Sequence, residues 1–225
     1  MRRVLRFVVA CMAVGLALLA HTWSTLPDVA ALARRAPTST AFMDLRAAEA
    51  TAKGRPLTMR HKWVDYGRIS PNLTRAVLVA EDAAFWQHEG LDFDEIRASI
   101  EANWASGEFT RGASTITQQL AKNLYLSPSR NPYRKVRELF IARRMEAQLS
   151  KRRIFELYLN LIEWGDGIWG AEAAARAYFG IPASELSREQ AALLAGAIIN
   201  PRVYSPAAPN ARLRRRQTII LNRMR

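Results

Sequence analysis

Cysteine and histidine are the residues that this sequence has least of. Its 225 residues include one cysteine, Cys11, and three histidines, His21, His61 and His88. A single cysteine excludes a disulfide framework within the chain, so cysteine usage does not indicate a compartment. The histidines are far apart and lack the spacing of metal ligands, so they do not predict a metal site. Internal repeats and low-complexity tracts are absent too, and the length suits one domain with an appendage.

Acidic residues are also scarce relative to basic ones. The chain has 20 Asp and Glu against 33 Lys and Arg, which gives a formal charge of +13 and a pI near 10.8. This excess indicates an anionic partner, whether a nucleic acid, an anionic bilayer or a phosphorylated substrate. Apolar residues make up 49% and charged residues 24%, the balance of an ordinary globular protein.

The longest apolar run follows a short basic segment at the N-terminus. Residues 7–26 reach the roughly 20 residues that a membrane-spanning helix needs, and Trp23 suits the far interface. The arginines of residues 1–6 predict that this tail is cytoplasmic and that the rest of the chain lies outside. A cleaved signal peptide is the alternative, with a cleavage site at 31–33. Because that site lies well beyond the apolar run, we expect an uncleaved anchor.

The rest of the chain is predicted to be mainly α-helical, with no alternating β pattern of useful length. Residues 27–50 are interpreted as a linker that enters a short helix near 41–52, and residues 57–69 could be extended. From Pro71 onward we predict helices at 72–85, 93–105, after Thr115, at 132–149, after Ser150, and at 171–179, 188–199 and 212–224. Three glycines between 165 and 170 predict a flexible connection.

One acidic residue follows an apolar run in the first of these helices. If the helix continues to residue 85, Val77, Glu81 and Phe85 share a face at i, i+4 and i+8. A carboxylate between apolar side chains is partly desolvated, which raises its pKa toward the range of a general base. The alternative for Glu81 taken alone is a solvated acid at the end of a core helix.

Five sequence blocks around and after Glu81 are more specific. They read Glu-Asp-x-x-Phe-x-x-His-x-Gly at 81–90, Gly-Ala-Ser-Thr-Ile-Thr-Gln-Gln-Leu-x-Lys-Asn at 112–123, Arg-Lys-x-x-Glu at 134–138, Lys-x-x-Ile-x-Glu-x-Tyr-Leu-Asn at 151–160, and Gly-Ala-Glu-Ala-Ala-Ala-Arg-Ala-Tyr-Phe-Gly at 170–180. In this order they resemble the peptidoglycan glycosyltransferases, which polymerise lipid II into glycan strands. The chain departs mildly at Arg111 and Ala113, where many relatives have glycine.

The resemblance implies a lysozyme-like fold, an inverting glycosyl transfer and two carboxylates with separate roles. Glu81 would take the proton from the 4-hydroxyl of the N-acetylglucosamine of lipid II. That oxygen would attack C1 of the lipid-linked N-acetylmuramic acid, and undecaprenyl pyrophosphate would leave. Glu138 would lie near the pyrophosphate and orient cations. No cofactor is required, although a divalent cation, Mg²⁺ or Mn²⁺, could bind near Glu138.

Pyrophosphate is a good leaving group, so the reaction needs positive charge where negative charge develops. The cations expected there are Lys122, Arg130, Arg134 and Lys135. Ten residues in all are expected to contact substrate: Phe85, His88, Ser114, Thr115, Gln119, Lys122, Asn123, Arg130, Arg134 and Lys135. For Phe85, packing in the core is an equal alternative. For Arg137, Arg143 and Arg144, a solvated basic face or contact with anionic lipid is an equal alternative, and Glu163 is interpreted as secondary.

The absence of Ser-x-x-Lys argues against a transpeptidase domain, so the monofunctional class is the expected match. The expected organisation is a cytoplasmic tail at 1–6, an inner-membrane anchor at 7–26, a linker at 27–50 and a periplasmic glycosyltransferase domain at 51–225. Expected partners are lipid II, the growing glycan strand and proteins of cell-wall synthesis or division, but not nucleic acid. Two alternatives stay open: a lysozyme-like hydrolase or lytic enzyme, and a basic membrane-tethered binding protein without enzymatic activity.

Overall fold

The computed structural model describes residues 1–54, 58–107, 112–129 and 131–225. Within these ranges the chain forms ten α-helices and one small sheet. The helices are α1 Arg2–Ser24, α2 Ala41–Ala52, α3 Pro71–Glu81, α4 Phe93–Ser106, α5 Ile116–Tyr125, α6 Pro132–Gln148, α7 Lys151–Leu161, α8 Ala171–Phe179, α9 Arg188–Ala197 and α10 Ala211–Arg223. The strands are β1 Arg60–His61, β2 Glu163–Gly165 and β3 Ile168–Trp169. The mainly α-helical prediction is therefore confirmed.

Local capping explains why most helices start where the sequence predicts. Thr115 and Ser187 each form a capping box, in which the hydroxyl accepts from the backbone N–H three residues on and that residue's glutamine side chain accepts in return. Asn131 caps α6 with proline at its first position, and Ser150 caps α7. Gly107 and Gly180 end α4 and α8 in the left-handed conformation, which a residue without Cβ adopts without strain.

The predicted helix at 72–85 is wrong at its C-terminal end. Helix α3 stops at Glu81, and Asp82 is extended, with φ −166° and ψ 81°. The Asp82 carboxylate accepts from the Ile116 N–H at 2.9 Å and from the His88 ring at 3.0 Å, which holds the chain out of the helix. Phe85 thus reaches the core from a turn, not from the α3 face that carries Val77.

The core consists of two packed groups of helices. Helix α9 packs between α3 and α10, and α5 packs against α6, α7 and α2. Along α5, Ile116, Leu120 and Leu124 repeat at i, i+4 and i+8, and all three are buried. Glu81 lies at the end of α3 and faces α5, so the junction of the two groups is where the candidate site forms.

The N-terminal segment joins an exposed helix to the domain. The apolar side chains of α1 are mostly solvent-exposed, and its length and composition fit a membrane-spanning helix. After α1, Val29 and Leu32 are buried in the same core as the helical domain, and Met43 of α2 joins them. Residues 27–50 are therefore packed against the domain along part of their length.

The region around the three glycines is a β-hairpin, so the predicted flexible connection is wrong. Strand β3 pairs with β2 in antiparallel fashion and with β1 in parallel fashion, in the order β1-β3-β2. A Cβ on Gly165 would collide with the hydroxyl of Tyr178. Gly170 has a φ of +82°, and a Cβ there would lie 2.6 Å from the Asn160 carbonyl oxygen. Glycine is needed here for close packing rather than for mobility.

Candidate active site

Glu81 is the last residue of α3 and lines a cavity of about 360 Å³, called here the Glu81 cavity. Ser114, Thr115 and Arg223 line the same cavity from α5 and α10 or their approaches. Burial raises the pKa of Glu81 above its usual 4.5, and the hydrogen bond from Gln119 and the charges of Arg216 and Lys122 only partly oppose this. A carboxylate of this kind can accept a proton from a hydroxyl more readily than a solvated one.

Gln119 holds the Glu81 carboxylate in a fixed orientation. Its Nε2 donates to Glu81 Oε2 at 3.0 Å, while its Oε1 accepts from the Tyr158 hydroxyl at 2.8 Å. Because Tyr158 supplies a donor, the amide must turn its oxygen toward the tyrosine and its NH₂ toward Glu81. Burial raises the pKa of Tyr158 far above its usual value, so the hydroxyl stays a donor.

Asp82, His88 and Thr115 fix the loop that follows Glu81. The Gly90 N–H donates to His88 Nδ1 at 3.1 Å, so the ring proton lies on Nε2, which donates to Asp82. The Thr115 hydroxyl donates to the Gly90 carbonyl at 2.8 Å and accepts from the Gln118 N–H. His88 and Thr115, two of the residues predicted to contact substrate, thus make these hydrogen bonds within the protein.

Two acidic sites in the described part of the chain, one at Asp82 and one at Glu138, do not fit a metal ion. The ligand atoms of Asp82, His88 and Asp92 lie within 4.8 Å of one another, but both nitrogens of His88 are used, and Asp92 caps α4 through the Glu95 N–H. Both oxygens of Glu138 accept from cationic side chains. A divalent cation at the first site would displace the hydrogen bonds of His88, and one at Glu138 would displace both ion pairs and be repelled by Arg134 and Lys135.

Three of the four predicted cations, Lys122, Arg134 and Lys135, lie around Glu138. Its buried carboxylate accepts from Arg134 through one oxygen and from Lys135 through the other. Lys135 also donates to the Ser114 hydroxyl at 3.1 Å, which joins this cluster to the Glu81 cavity. With Lys122, the cluster contains three cations and one carboxylate. Its net charge is therefore positive, which suits an anionic ligand.

Lys122 is the cation with the least support from the protein. It is partly buried and has no hydrogen-bond or ion-pair partner among the residues that the structure describes. Burial lowers its pKa, with Glu138 and Glu81 acting in the opposite direction and Arg134 and Lys135 adding to the lowering. A partly buried, unpaired ammonium beside other cations is destabilising, and an anionic ligand would relieve this.

Lys122 lines a second cavity of about 200 Å³ on the other side of Gln119. Asn123 lines it as well, and its amide donates to the Gln119 carbonyl at 2.8 Å. Phe42 of α2 forms part of the wall, with the Lys122 ammonium 5.9 Å from the ring centroid. The polar residues Gln119 and Lys122 of α5 thus line this second cavity, while the N-cap residue Thr115 lines the Glu81 cavity.

The structure supports Phe85 as a core residue. Its ring is fully buried, packs 5.4 Å from Phe155 between centroids and lies 4.3 Å below the Lys151 ammonium. It therefore holds the loop from inside the domain. Arg130, one of the four predicted cations, lies outside the described residues, as does Arg111.

Sequence reasoning misses three features of the site. Arg216 and Arg223 of α10 reach the surroundings of Glu81, and their only sequence signal is an arginine-rich last helix. Tyr158 lies between two leucines in the sequence of α7, although its hydroxyl orients Gln119. Glu163, interpreted as secondary, lines the second cavity, beside Lys122, and pairs with Arg46 of α2 at 3.2 Å.

Two of the three remaining arginines of α6 have different surroundings from those expected. Arg137 donates to the hydroxyl and the carbonyl of Thr25, at 2.7 and 2.9 Å, and Arg144 donates to the Leu26 carbonyl at 3.4 Å. These two bind the segment after α1, so they are not simply a solvated face. Arg143 is exposed and contacts Glu89 at 3.3 Å.

Comparison with known proteins is consistent with this site. A family model described as Transglycosylase matches residues 48–225. A protein of Laribacter hongkongensis is 51% identical over 188 residues, and one of Nitrosospira multiformis is 49% identical over 188 residues. A third, of Methylobacillus flagellatus, is 50% identical over 189 residues. Each match covers 84% of this chain and 82% of the relative, and each relative is named biosynthetic peptidoglycan transglycosylase.

The family match spans the helical domain. It includes every residue that lines the two cavities except Phe42 and Arg46 of α2. The fold of that domain is accordingly the lysozyme-like fold of these enzymes. The chain belongs to the transglycosylase family, and it is a glycosyltransferase of peptidoglycan synthesis.

Proposed function

We propose that this protein polymerises lipid II into glycan strands by inverting glycosyl transfer and releases undecaprenyl pyrophosphate. The observation that carries the proposal is the junction at Ser114. A desolvated carboxylate, Glu81, and a cluster of cations around Glu138 meet there across one hydroxyl. The reaction needs a base for the attacking hydroxyl and positive charge for the leaving pyrophosphate, and this junction supplies both within one site.

In the proposed reaction Glu81 accepts the proton of the sugar 4-hydroxyl as its oxygen attacks C1 of the lipid-linked sugar. Gln119 keeps one carboxylate oxygen occupied, so the other is the one available to the incoming proton. The bond from C1 to the pyrophosphate oxygen breaks with inversion at C1. The negative charge that develops on that oxygen is stabilised by Lys122, Arg134 and Lys135.

Glu138 is a positioning residue in this scheme. Its two oxygens bind Arg134 and Lys135 and so fix both side chains before substrate arrives. Fixed cations need little rearrangement as the charge on the leaving group grows, which favours the transition state over the bound substrate. No step in this scheme involves a metal ion.

We further propose that residues 1–6 are cytoplasmic and that residues 7–26 anchor the protein in the inner membrane. Residues 27–50 then link the anchor to the domain. Residues 51–225 act in the periplasm on lipid II and the growing strand. The arginines before the apolar run support this orientation. The packing of Leu32 supports an uncleaved anchor, because its carbonyl accepts from Arg153 at 2.7 Å within the alternative cleavage site.

The test uses the full-length protein in detergent with labelled lipid II. We expect glycan polymer and one released lipid pyrophosphate for each bond formed. Glu81→Gln protein, shown to be folded by circular dichroism, is the matched control and should form polymer at least about 10²-fold more slowly. Release of soluble muropeptides from finished sacculi, without polymer from lipid II, would instead favour the lysozyme-like hydrolase, for which the cation cluster has no evident use.

A further inference from the structure

A groove of about 350 Å³ lies between strand β1 and helix α8. It is called here the β1–α8 groove, and it shares no lining residue with the Glu81 cavity or the second cavity. Its walls carry three cations, namely Arg60 of β1, Lys62 directly after β1, and Arg176 of α8. No acidic side chain lines the groove among the residues that the structure describes. The groove therefore lies apart from the proposed reaction and takes no part in its scheme.

A buried carboxylate beneath the groove holds two of these cations in place. Glu172 of α8 is 3% exposed, and its Oε1 accepts from Arg176 Nε at 2.6 Å and lies 3.5 Å from the Lys62 ammonium. Its Oε2 accepts from the Ala183 N–H at 2.8 Å. Both cations thus share one oxygen of a single carboxylate, and about half or more of each side chain stays exposed. Glu172 fixes their positions without neutralising them both.

Arg60 adds a third cation to this pair. Its side chain is exposed, and its guanidinium has no hydrogen-bond or ion-pair partner in the part of the chain that the structure describes. Three cations and one carboxylate leave the groove with a net positive charge, and the carboxylate is buried beneath its wall. Charge complementarity therefore favours an anionic ligand with more than one negative group.

Strand β1 is also a free edge of the sheet. In the order β1-β3-β2 it pairs only with β3 among the described residues. The Arg60 N–H donates to the Gly167 carbonyl at 2.8 Å, so parallel pairing turns the backbone N–H and C=O of the next residue, His61, away from β3. His61 is exposed. An exposed edge of this kind can pair with an extended segment of another chain.

We propose that the β1–α8 groove is the docking site of an extended acidic segment of a partner protein, which adds to the sheet beside β1. Side chains two residues apart on a strand share a face, so acidic residues at alternate positions of the segment face Arg60, Lys62 and Arg176. The partner is a different protein, because a second copy of this chain is itself strongly basic, with a formal charge of +13. This surface does not depend on the identity of the substrate.

The experiment measures binding of a short fluorescent peptide, in which glutamate alternates with valine, to the full-length protein in micelles of a neutral detergent. One comparison peptide has lysine in place of every glutamate. The other keeps the glutamates but has every backbone nitrogen methylated, so it cannot donate hydrogen bonds to a strand. We expect the glutamate peptide to bind and both comparison peptides to bind at least about ten-fold more weakly, since each lacks one of the two kinds of contact.

Arg60→Glu is the test variant, because the Arg60 side chain has no partner to lose within the described residues and the variant should keep the fold. Arg68→Glu is the matched control: it makes the same change of charge at an exposed arginine of the same segment that does not line the groove. We expect Arg60→Glu to weaken binding of the glutamate peptide roughly five-fold or more and Arg68→Glu to change it little. Both variants should polymerise lipid II like the wild type.

Four results would overturn the inference. They are no binding of the glutamate peptide, equal weakening in both variants, equal binding of the methylated peptide, and a fall in polymerisation in Arg60→Glu alone. Equal weakening would indicate attraction by the overall charge, and the fall in polymerisation would place the groove in the path of the substrate. If phosphatidylglycerol added to the micelles displaced the peptide and bound in an Arg60-dependent way, the groove would be a site for anionic lipid instead. Peptide binding is measured without lipid II, so its failure leaves the proposed function standing.

Discussion

Replacing Glu81 by glutamine tests the site with little change of shape. The glutamine keeps a carbonyl oxygen at the position that accepts from Gln119 Nε2 at 3.0 Å, so the bond to Gln119 and its link to Tyr158 are retained. What the variant loses is the negative charge and the ability to accept a proton. The change therefore separates the role of Glu81 as a base from its role in packing.

Two effects of opposite sign are expected from this substitution. Polymerisation should fall by about 10²-fold or more, the usual effect of losing a general base. Stability should rise at neutral pH, because burial raises the pKa of Glu81 in the folded protein and so makes its ionised form costly. At pH values above the raised pKa, each unit by which folding raises the pKa of Glu81 lowers the stability of the folded protein by about 1.4 kcal/mol.

The sign of the pH dependence follows from the same shift. Below the ordinary value of 4.5, Glu81 is protonated in both folded and unfolded chains, and the two proteins should be equally stable apart from the substitution itself. As the pH rises from there through the raised pKa, the wild type should lose stability relative to Glu81→Gln. Above that pKa the difference should be constant. The activity of the wild type should increase over the same pH range, since the base must be ionised.

The assays are lipid II polymerisation and urea unfolding of both proteins between pH 4 and pH 8. The combination of lost activity and gained stability is the expected result. A folded Glu81→Gln protein that polymerised lipid II at a near-normal rate would refute the assignment of the base. A variant less stable than the wild type at neutral pH would refute the claim that the carboxylate is desolvated at a cost.

Three further predictions concern the cations and the anchor. Lys122→Ala and Arg134→Ala should each lower turnover roughly 10²-fold, with a smaller effect on lipid II binding. Arg143→Ala, a control on the same helix as Arg134, should change turnover little. Equal small effects in all three variants would contradict the assignment of these cations to the pyrophosphate. Arg46→Ala should destabilise the protein by about 1–3 kcal/mol in urea unfolding, because it leaves the buried Glu163 carboxylate without its ion-pair partner, and Arg46→Lys should recover part of this loss. A reporter fused to the C-terminus should be active only if it is of a type that works in the periplasm; recovery of a shortened free protein from the periplasm would show cleavage instead.

The helices could be predicted because their signals are local. The capping residues Thr115, Asn131, Ser150 and Ser187 each lie within four residues of the helix they start, and the structure places a cap at all four. The short helix predicted near 41–52 has those bounds in the structure. Caps and apolar periodicity are read from neighbouring residues, so no knowledge of the fold is needed.

The errors all involve contacts between distant parts of the chain. Helix α3 ends at Glu81 because the Asp82 side chain bonds to the Ile116 N–H, 34 positions along the chain. The glycine region forms a hairpin because β3 also pairs with β1, whose residues lie more than 100 positions earlier. The strands have two or three residues each, too few for an alternating pattern. No local pattern contains this information.

For the site, the motifs predict which residues to consider but not how they divide their tasks. The structure brings Glu81, Gln119 and Lys122 together, as the sequence blocks lead one to expect. It also shows His88 and Phe85 used in holding the loop, which the motif alone could not distinguish from substrate contact. A motif records that a residue belongs to a pattern, whereas its hydrogen-bond partners decide what remains available for a ligand.

Helix α6 connects the anchor and the cation cluster. One of its faces carries Arg134 and Glu138, which belong to the cluster. Another carries Arg137, which donates twice to Thr25 directly after α1, and Phe140, whose ring meets Trp23 of α1 edge-on with centroids 6.2 Å apart. The direction of α1 is thus set against the same helix that holds the cations. Because α1 fits a single-pass membrane anchor, the height of the cluster above a bilayer would follow from these contacts rather than from the length of a free linker.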